Sequence, residues 1–357
     1  KIHHILCPIP FALKTVNCYY LSDTVPTLID TGVDSGSNLE AIDSVIREAG
    51  GSLADLKRII LTHAHTDHLG LAGRLSDISR ADIYIHRLDE PKVISHNPTK
   101  SDNYMRRFCD FLLSAGIPDA MANDMRDIFI RRLDELVSPI HRLNLLSGGE
   151  TFEFDDFQLQ VIHTPGHTAG SICLYNQSTG DLLSGDTLLK KITPNPVAEI
   201  RPPETDPDYR SIPRYLTSLD NIAQSAVDRV LPGHGSAFCD IKDRIAALKV
   251  HIDHRKRLVV RLMRDSRQKE PGGLTLYRLA CKMFPQLKGL EVFLGLSEAY
   301  AYFQLLESEG KVETWKEKDI RCFRLNAHDF SDISPALNRV CSETLSIRNR
   351  IILPPVR

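Results

Sequence analysis

The feature that most constrains this chain is a segment of six residues that holds three histidines and an aspartate. Directly after the apolar run RIIL at 58–61, which predicts a buried strand, come His63, His65, Asp67 and His68. Imidazole and carboxylate groups are polar and titratable, so their place at the end of a buried strand needs an explanation. Either they are exposed loop residues with separate roles, or they converge on something that needs all of them.

Three further segments place a histidine or an aspartate at the same kind of position. His167 lies in VIHTPGHTAGS, Asp186 in LLSGDTL and His234 in VLPGHGS, each after a β-rich run and beside a glycine that permits a sharp turn. A lone histidine at a strand end is usually a surface or structural residue, and we interpret the remaining histidines in that way. Loops at the strand ends of a layered α/β fold gather on one rim, however, so these groups are expected to meet.

The residue types indicate a metal site. Imidazole nitrogens and carboxylate oxygens are the donors that borderline divalent metals such as zinc prefer. Four such donors in one loop exceed what a single catalytic zinc normally takes from a protein, and five histidines with two aspartates complete two sites if one carboxylate bridges. We therefore expect two divalent metal ions per chain, zinc first, although the same donors accept manganese or iron.

In this order, the segments THAHTDH, TPGHT, SGD and PGHG resemble the metallo-β-lactamase superfamily, in particular its glyoxalase II-like hydrolase branch. The resemblance covers residues 10–240, and LIDTG at 28–32 adds weaker support. It implies an α/β fold, the αββα sandwich with metals at one edge of its two sheets. It also implies a ligand assignment: a first metal on His63, His65 and His167, a second on Asp67, His68 and His234, and Asp186 as the bridge.

The resemblance further implies hydrolysis by a hydroxide that bridges the two metals, and we expect a small ester, thioester or lactone as the substrate. Asp67 is the catalytic candidate, because it can orient the attacking water. Asp30, which ends the strand of TLIDTG, is expected to support a ligand histidine from behind; its alternative role is to start the Asp-Thr-Gly turn. Two other activities stay open, a two-metal phosphodiesterase or ribonuclease and, less favoured, a mononuclear iron persulfide dioxygenase.

Strand and helix patterns divide the chain. They predict a catalytic domain over residues 1–240, interrupted by a helical insertion at 88–142. Residues 241–270 predict one long, basic connecting helix that ends before a ProGlyGly break. Residues 271–327 combine helices with a hairpin turned at LysAsp, a winged-helix-like arrangement that resembles the tail of long bacterial hydrolases of this superfamily. Residues 328–357 stay unassigned.

The helical insertion is expected to form a wall of the substrate site, because it interrupts the core between strands that carry ligands. Its helices present aromatic residues that would line an apolar acyl pocket: Tyr104, Phe108, Phe111 and Phe129. The alternative, which helix periodicity favours for any one of these rings, is that they pack the helices on each other and on the sheet. The proline-rich segment 192–209 is a second candidate for a pocket edge.

Composition and charge restrict the partners. A net charge of −2 creates no general attraction to nucleic acid or anionic membranes, and no apolar run is long enough to span a bilayer. The helix that a winged-helix module would use for recognition carries Glu298, Glu307 and Glu309, so nucleic acid is allowed but not favoured. We expect a small-molecule substrate and no association with membranes. The sequence leaves open whether the chain forms a homodimer. Eight scattered cysteines without a Cys-x-x-Cys pair predict free thiols and a cytoplasmic location.

Overall fold

Two β-sheets form the centre of the molecule in the computed structural model, which describes residues 1–95, 101–194, 206, 208–267, 269–270, 272–286 and 291–326. The first sheet has its six strands in sequence order: β1 (Ile2–Pro8), β2 (Thr15–Leu21), β3 (Thr27–Ile29), β4 (Arg58–Ile60), β5 (Asp82–His86) and β6 (Asn144–Leu146). Strands β3 to β6 run parallel, so their carboxyl ends meet at one edge of the sheet.

The second sheet has five strands, in which each strand is hydrogen-bonded to its neighbours in sequence, in the order β11-β10-β9-β8-β7. Its strands are β7 (Thr151–Glu153), β8 (Gln158–His163), β9 (Ile172–Asn176), β10 (Asp181–Gly185) and β11 (Arg229–Pro232). Because β9 is antiparallel to both β8 and β10, and β11 is parallel to β10, the strands β8, β10 and β11 all end at the same edge.

The side chains of the first sheet alternate between two cores. Ile29 and Ile60 face the second sheet and meet Leu174 and Leu183 there, whereas Leu28 and Ile59 face a layer of helices. That layer consists of α1 (Gly36–Glu48), the short α2 (Thr66–Leu69) and α3 (Ala72–Ser79). Gly70 lies between α2 and α3, so close to the backbone of Leu136 that a Cβ would lie 2.4 Å from its carbonyl oxygen.

The outer face of the second sheet packs against a second layer of helices. This layer contains α5 (Ser101–Ser114), α6 (Asp119–Leu136) and α7 (Ser211–Gln224), with α4 (Glu90–Ser95) before them. The sequence had provided no prediction for α7, although Ile212, Tyr215, Leu219 and Ile222 recur at helical spacing and are buried. Helix, sheet, sheet and helix thus form the expected αββα sandwich, and the predicted fold is confirmed.

The C-terminal part begins with the long helix α8 (Ile241–Ser266). After it come β12 (Leu274–Thr275), α9 (Leu276–Met283), α10 (Glu291–Ser308), β13 (Val312–Glu317) and β14 (Ile320–Leu325), with the strands ordered β12-β14-β13. The predicted hairpin turns at Lys318 and Asp319, both with the positive φ that a two-residue turn requires. These helices share one apolar core with α5 and α7, and the winged-helix interpretation stays a prediction.

Some predicted segments lie outside the described residues, among them most of 192–209 and all of 328–357. Within the residues that are described, no helix combines the length and the apolar character needed to cross a membrane.

Candidate metal centre

All seven predicted ligands lie in segments that follow strands at one edge of the sandwich. After β4, His63 and His65 lie in a loop and Asp67 and His68 in α2, and the loops after β8, β10 and β11 carry His167, Asp186 and His234. The structure therefore brings together residues that are up to about half the chain apart in sequence, as the direction of the parallel strands requires. Their donor atoms form three overlapping groups in which all atoms lie within 4.8 Å of one another.

The first triad consists of His63, His65 and His167. The Nδ1 atom of His65 lies 3.0 Å from Nε2 of His63 and 3.0 Å from Nε2 of His167. The ring of His65 is nearly perpendicular to both of the others, at 78° and 86°. Three imidazole nitrogens thus point at a common centre, which is the donor set of a three-histidine metal site.

The second triad consists of Asp67, His68 and His234. Oδ2 of Asp67 lies 3.3 Å from Nε2 of His234 and 4.0 Å from Nε2 of His68. The carboxylate of Asp186 lies between the triads, 3.5 Å from Nε2 of His68 and 3.5 Å from Nε2 of His234. It is also 3.6 Å from Nε2 of His167 in the first triad. Asp186 is therefore placed where one carboxylate can serve both groups.

Three donor atoms test whether this arrangement fits metal ions. Nε2 of His68, Nε2 of His234 and Oδ1 of Asp186 are buried and have no hydrogen-bond partner within the described part of the chain. Buried polar atoms without partners are costly, and here they are the same atoms that face the centre of the cluster. The donor set, its burial and its unpaired atoms fit divalent metal ions.

In three of the five candidate histidines, the second ring nitrogen contacts a polar group behind the cluster. Nδ1 of His68 lies 2.7 Å from Oδ2 of Asp30, and Nδ1 of His234 lies 2.7 Å from the carbonyl oxygen of Thr15. Nδ1 of His63 lies 3.1 Å from Oγ1 of Thr62. Each contact occupies one nitrogen and leaves the other facing the cluster, which fixes the tautomer and the orientation of the ring.

Asp30, the predicted supporting residue, lies directly after β3 in the left-handed region, with φ of 55°. Its carboxylate accepts hydrogen bonds from the backbone N–H and the Oγ1–H of Thr62, each at 2.8 Å, besides contacting His68. The residue that starts the Asp-Thr-Gly turn therefore also contacts a candidate ligand histidine.

Close packing of the loops depends on glycine at two positions. A Cβ on Gly233 would lie 2.5 Å from Oδ1 of Asp186 and 2.8 Å from Cε1 of His68. Gly166 has φ of 139°, and a Cβ there would lie 2.3 Å from Cβ of Tyr215 on α7. No larger residue fits either position, so the PGHG and TPGHT loops can approach the cluster only with glycine present.

The loop of His234 is also fixed by polar side chains of β2. The Nδ2 amide of Asn17 donates to the carbonyl oxygens of Pro232 and Gly235, each at 2.8 Å, and the hydroxyl of Tyr19 donates to Pro232. Sequence reasoning missed both residues, because nothing in β2 itself distinguishes them from ordinary strand residues.

Asp89 was also missed. It follows β5, the parallel neighbour of β4, and is completely buried. Its carboxylate accepts hydrogen bonds from the loop of His63 and His65 and from the loop of His167. Its place after a strand that ends at the same edge was the available signal.

The histidines of the two triads shift their pKa values in opposite directions. Burial lowers the pKa of His65 to about 3, and burial with the adjacent His68 lowers the pKa of His63 well below its usual value. In the second triad the carboxylates outweigh burial: Asp186 and Asp67 raise the pKa of His234 to about 10.

The pKa of Asp67, which burial alone would raise, falls to about 2 because His68 and His234 stabilise its ionised form. His63 and His65 of the first triad are thus neutral at neutral pH, whereas the second triad holds the ionised carboxylate of Asp67 next to the protonated imidazole of His234.

Three of the four aromatic candidates for a substrate pocket pack on other aromatic rings. The ring of Phe108 is 5.1 Å from that of Phe129 and 5.2 Å from that of Phe293 on α10, and the ring of Phe111 is 5.3 Å from that of Tyr300. All three insertion residues belong to, or pack against, the core shared with the C-terminal helices. The side chain of Tyr104 lies outside the described residues. These contacts support the packing alternative.

Comparison with known proteins agrees with this geometry. A family model described as the metallo-beta-lactamase superfamily matches residues 13–234, which include all seven ligand candidates. The chain is 26% identical to the probable metallo-hydrolase YqjP of Bacillus subtilis over 328 residues, 90% of this chain and 96% of that protein. It is 25% identical to the acyl-coenzyme A thioesterase MBLAC2 of Gallus gallus over 219 residues, 58% of this chain and 69% of that protein.

Among solved structures, a metallo-beta-lactamase family protein from Thermus thermophilus is similar with a TM-score of 0.77 at 26% identity, over 91% of this chain and 98% of that one. A beta-lactamase domain protein from Burkholderia ambifaria gives a TM-score of 0.75 at 22% identity, over 91% and 92%, and shows the shared fold. Both similarities extend beyond residue 234 into the C-terminal part.

Proposed function

The chain belongs to the metallo-β-lactamase superfamily and is a metal-dependent hydrolase, and we propose that it holds two divalent ions, zinc first, and cleaves a small ester, thioester or lactone. One observation carries the proposal: seven donors form two triads that share Asp186. A single-metal enzyme would need only three or four of them.

A thioester is the substrate class that we place first. The similarity to an acyl-coenzyme A thioesterase covers more than two thirds of that relative and supports an acyl substrate. The resemblance of the motifs to the glyoxalase II-like branch also favours a thioester bond.

The chemistry follows from the residues around the cluster. Divalent ions held by the two triads would lower the pKa of a water molecule and polarise the scissile carbonyl group. Asp67 stays ionised at neutral pH, since its pKa is about 2, so its carboxylate can accept a hydrogen bond from the attacking water and orient it. Thr62, Asp30 and the Thr15 carbonyl keep three imidazoles in the tautomers that leave the inward nitrogen free to bind.

The direct test is a substrate panel on zinc-loaded protein. It contains an acyl-coenzyme A, a lactone, a p-nitrophenyl ester, a phosphodiester and single-stranded RNA, with Asp67→Asn as the variant. We expect hydrolysis of the carbonyl substrates, with the thioester fastest, and a loss of about 100-fold or more in kcat for Asp67→Asn. Cleavage of the phosphodiester or RNA alone would establish the phosphodiesterase instead. Oxygen consumption with a persulfide by iron-loaded protein would establish the dioxygenase.

We further propose a reducing compartment such as the cytoplasm. The cysteines that the structure describes are all free, and Cys7, Cys18, Cys173 and Cys322 are buried. Buried thiols without disulfides are typical of a reducing environment. A fluorescent fusion in the source cells, followed by fractionation, tests this location.

A further inference from the structure

Asp89 connects the two loops that carry the first triad. One carboxylate oxygen, Oδ2, accepts hydrogen bonds from the backbone N–H of Ala64 at 2.8 Å and from the hydroxyl of Thr168 at 2.7 Å. The other, Oδ1, accepts from the backbone N–H of Gly170 at 2.9 Å. Ala64 lies between His63 and His65, and Thr168 directly follows His167. A single side chain therefore joins segments that are about a hundred residues apart and carry all three nitrogens of that triad.

The contacts of Asp89 are those of an ionised group in a dry environment. The residue is 0% exposed, and Lys92 on α4 is the nearby cation, with Nζ 3.3 Å from Oδ1. Although burial raises the pKa of the carboxyl group, Lys92 and the donors on the two loops lower it below its usual value. A buried carboxylate that accepts several hydrogen bonds holds its partners strongly, because each unsatisfied donor would be costly.

Asp89 is tightly packed against the loop that carries His167. A Cβ on Gly170 would lie 2.7 Å from Cβ and 2.7 Å from the backbone nitrogen of Asp89, so the loop of His167 is pressed directly against this residue. An aspartate that precedes a helix ordinarily caps it. Here, instead, the backbone N–H groups that donate to the carboxylate belong to two other loops, at Ala64 and Gly170, which needs a reason beyond capping.

We propose that Asp89 is a positioning residue that sets the metal affinity of the first triad and leaves that of the second unchanged. This role rests on the proposed metal centre. The second triad is held by other groups, Asp30 behind His68 and the Thr15 carbonyl behind His234, and the loop donors to Asp89 that the structure describes, Ala64, Thr168 and Gly170, adjoin neither histidine. Removal of the Asp89 carboxylate should therefore weaken metal binding at the first triad and leave metal binding at the second unchanged.

The test compares zinc affinities in two single-site backgrounds. His234→Ala disrupts the second triad and leaves the first, whereas His167→Ala disrupts the first and leaves the second. Asp89→Asn keeps the size of the side chain but turns an NH₂ group toward donors of one loop or the other. We expect Asp89→Asn to weaken zinc binding about 10- to 100-fold in the His234→Ala background and less than about 3-fold in the His167→Ala background, measured by competition with a chromogenic chelator.

Two further variants separate positioning from general stability. Asp181→Asn is the matched control: Asp181 is also a buried carboxylate, paired with Arg229 at 2.7 and 2.8 Å, but it begins β10 at the end away from the cluster. It should lower the thermal stability and leave both zinc affinities unchanged. Thr168→Val removes one of the donors to Asp89 with little change of shape, and should weaken only the first site, by about 3- to 10-fold.

Equal losses at both sites, or an unchanged first site in Asp89→Asn, would overturn the proposal. If Asp89→Asn does not fold, Thr168→Val decides: an unchanged first site in that variant overturns the proposal as well. Zinc binding to the wild-type protein without hydrolysis of any carbonyl substrate would refute the proposed function and leave the role of Asp89 intact. Absence of zinc binding by the wild-type protein would refute both.

Discussion

The ligand rim, formed by the loops after β4, β8, β10 and β11, and the helical layer, formed by α5 to α10, are stabilised in different ways. In the rim, single hydrogen bonds fix the positions of the groups: Asp30 contacts His68, the Thr15 carbonyl contacts His234, and Asp89 accepts from two loops. In the helical layer, rings and aliphatic chains fill space, as with Phe303, whose ring lies 4.7 Å from that of Phe323. Apolar packing is non-directional, whereas each contact in the rim depends on one atom in one place.

This difference predicts how the two regions respond to mutation. Substitution in the rim should change metal binding and turnover more than stability. Substitution in the helical layer should change stability and leave the metal centre of the folded protein unaltered. The effects that follow are arranged from the largest to the smallest.

Asp186→Ala should have the largest effect. Its carboxylate lies within 3.6 Å of imidazole nitrogens in both triads, so its loss weakens both sites at once. We expect kcat to fall at least about 1000-fold and the bound metal to drop well below that of the wild type. Steady-state kinetics and metal emission spectroscopy measure the two quantities. A variant with full metal content and an unchanged rate would show that Asp186 is not a ligand.

Phe303→Ala should show the opposite behaviour. Phe303 is completely buried in the helical layer, and its truncation leaves a cavity, so the free energy of unfolding should fall by about 3–5 kcal/mol. Metal content and kcat of the folded fraction should match the wild type at low temperature. Urea denaturation gives the first quantity. A loss of metal from folded protein would mean that the helical layer also shapes the rim.

Asp30→Asn should affect the rim more moderately. The amide of Asn can still accept a hydrogen bond from His68, but it lacks the negative charge with which the Asp30 carboxylate stabilises the imidazole. We therefore expect the metal affinity of the second site to fall about 10- to 100-fold. Zinc titration in the His167→Ala background isolates that site. If the affinity stays within a factor of two, Asp30 only shapes its turn.

His86 should make the protein less stable in acid. Burial, together with the stacked ring of His163 at 3.9 Å, lowers the pKa of His86 to about 4. The unfolded chain takes up this proton near pH 6.5, whereas the folded protein does so only near pH 4. The free energy of unfolding therefore decreases as the pH falls through this window, by on the order of 2 kcal/mol.

The variant His86→Asn removes this titration. Urea denaturation of the metal-free protein at several pH values should give a shallower slope between pH 6.5 and pH 4 than for the wild type. Parallel slopes for the two proteins would show that His86 does not cause the loss.

Phe129→Ala should have the smallest effect on catalysis. Its ring stacks on Phe108 within the helical layer, so KM for a thioester should change less than about twofold, although stability falls. A KM increase of tenfold or more, at unchanged kcat, would show instead that the helical insertion forms a wall of the substrate site.

The same difference explains what the sequence could predict. The ligand positions could be predicted from the sequence because each donor lies in a short motif at a strand end, and strand direction alone brings such ends together. Asn17 could not be predicted, because its partners lie in a distant loop and a single asparagine in a strand has many ordinary uses. Asp89 had one signal, its place after a strand that ends at the same edge, but a single aspartate in a turn also has many ordinary uses. The aromatic face of the insertion was visible as a pattern, but periodicity does not say whether a ring faces substrate, a sheet or another helix.

The most direct test is the number of zinc ions bound by metal-stripped protein, counted by native mass spectrometry. The wild-type protein should take up two, His234→Ala and His167→Ala should each take up one, and the double variant should take up none. Saturation of the wild-type protein at a single ion, or binding of two ions by the double variant, would contradict the assignment of these residues to two neighbouring sites.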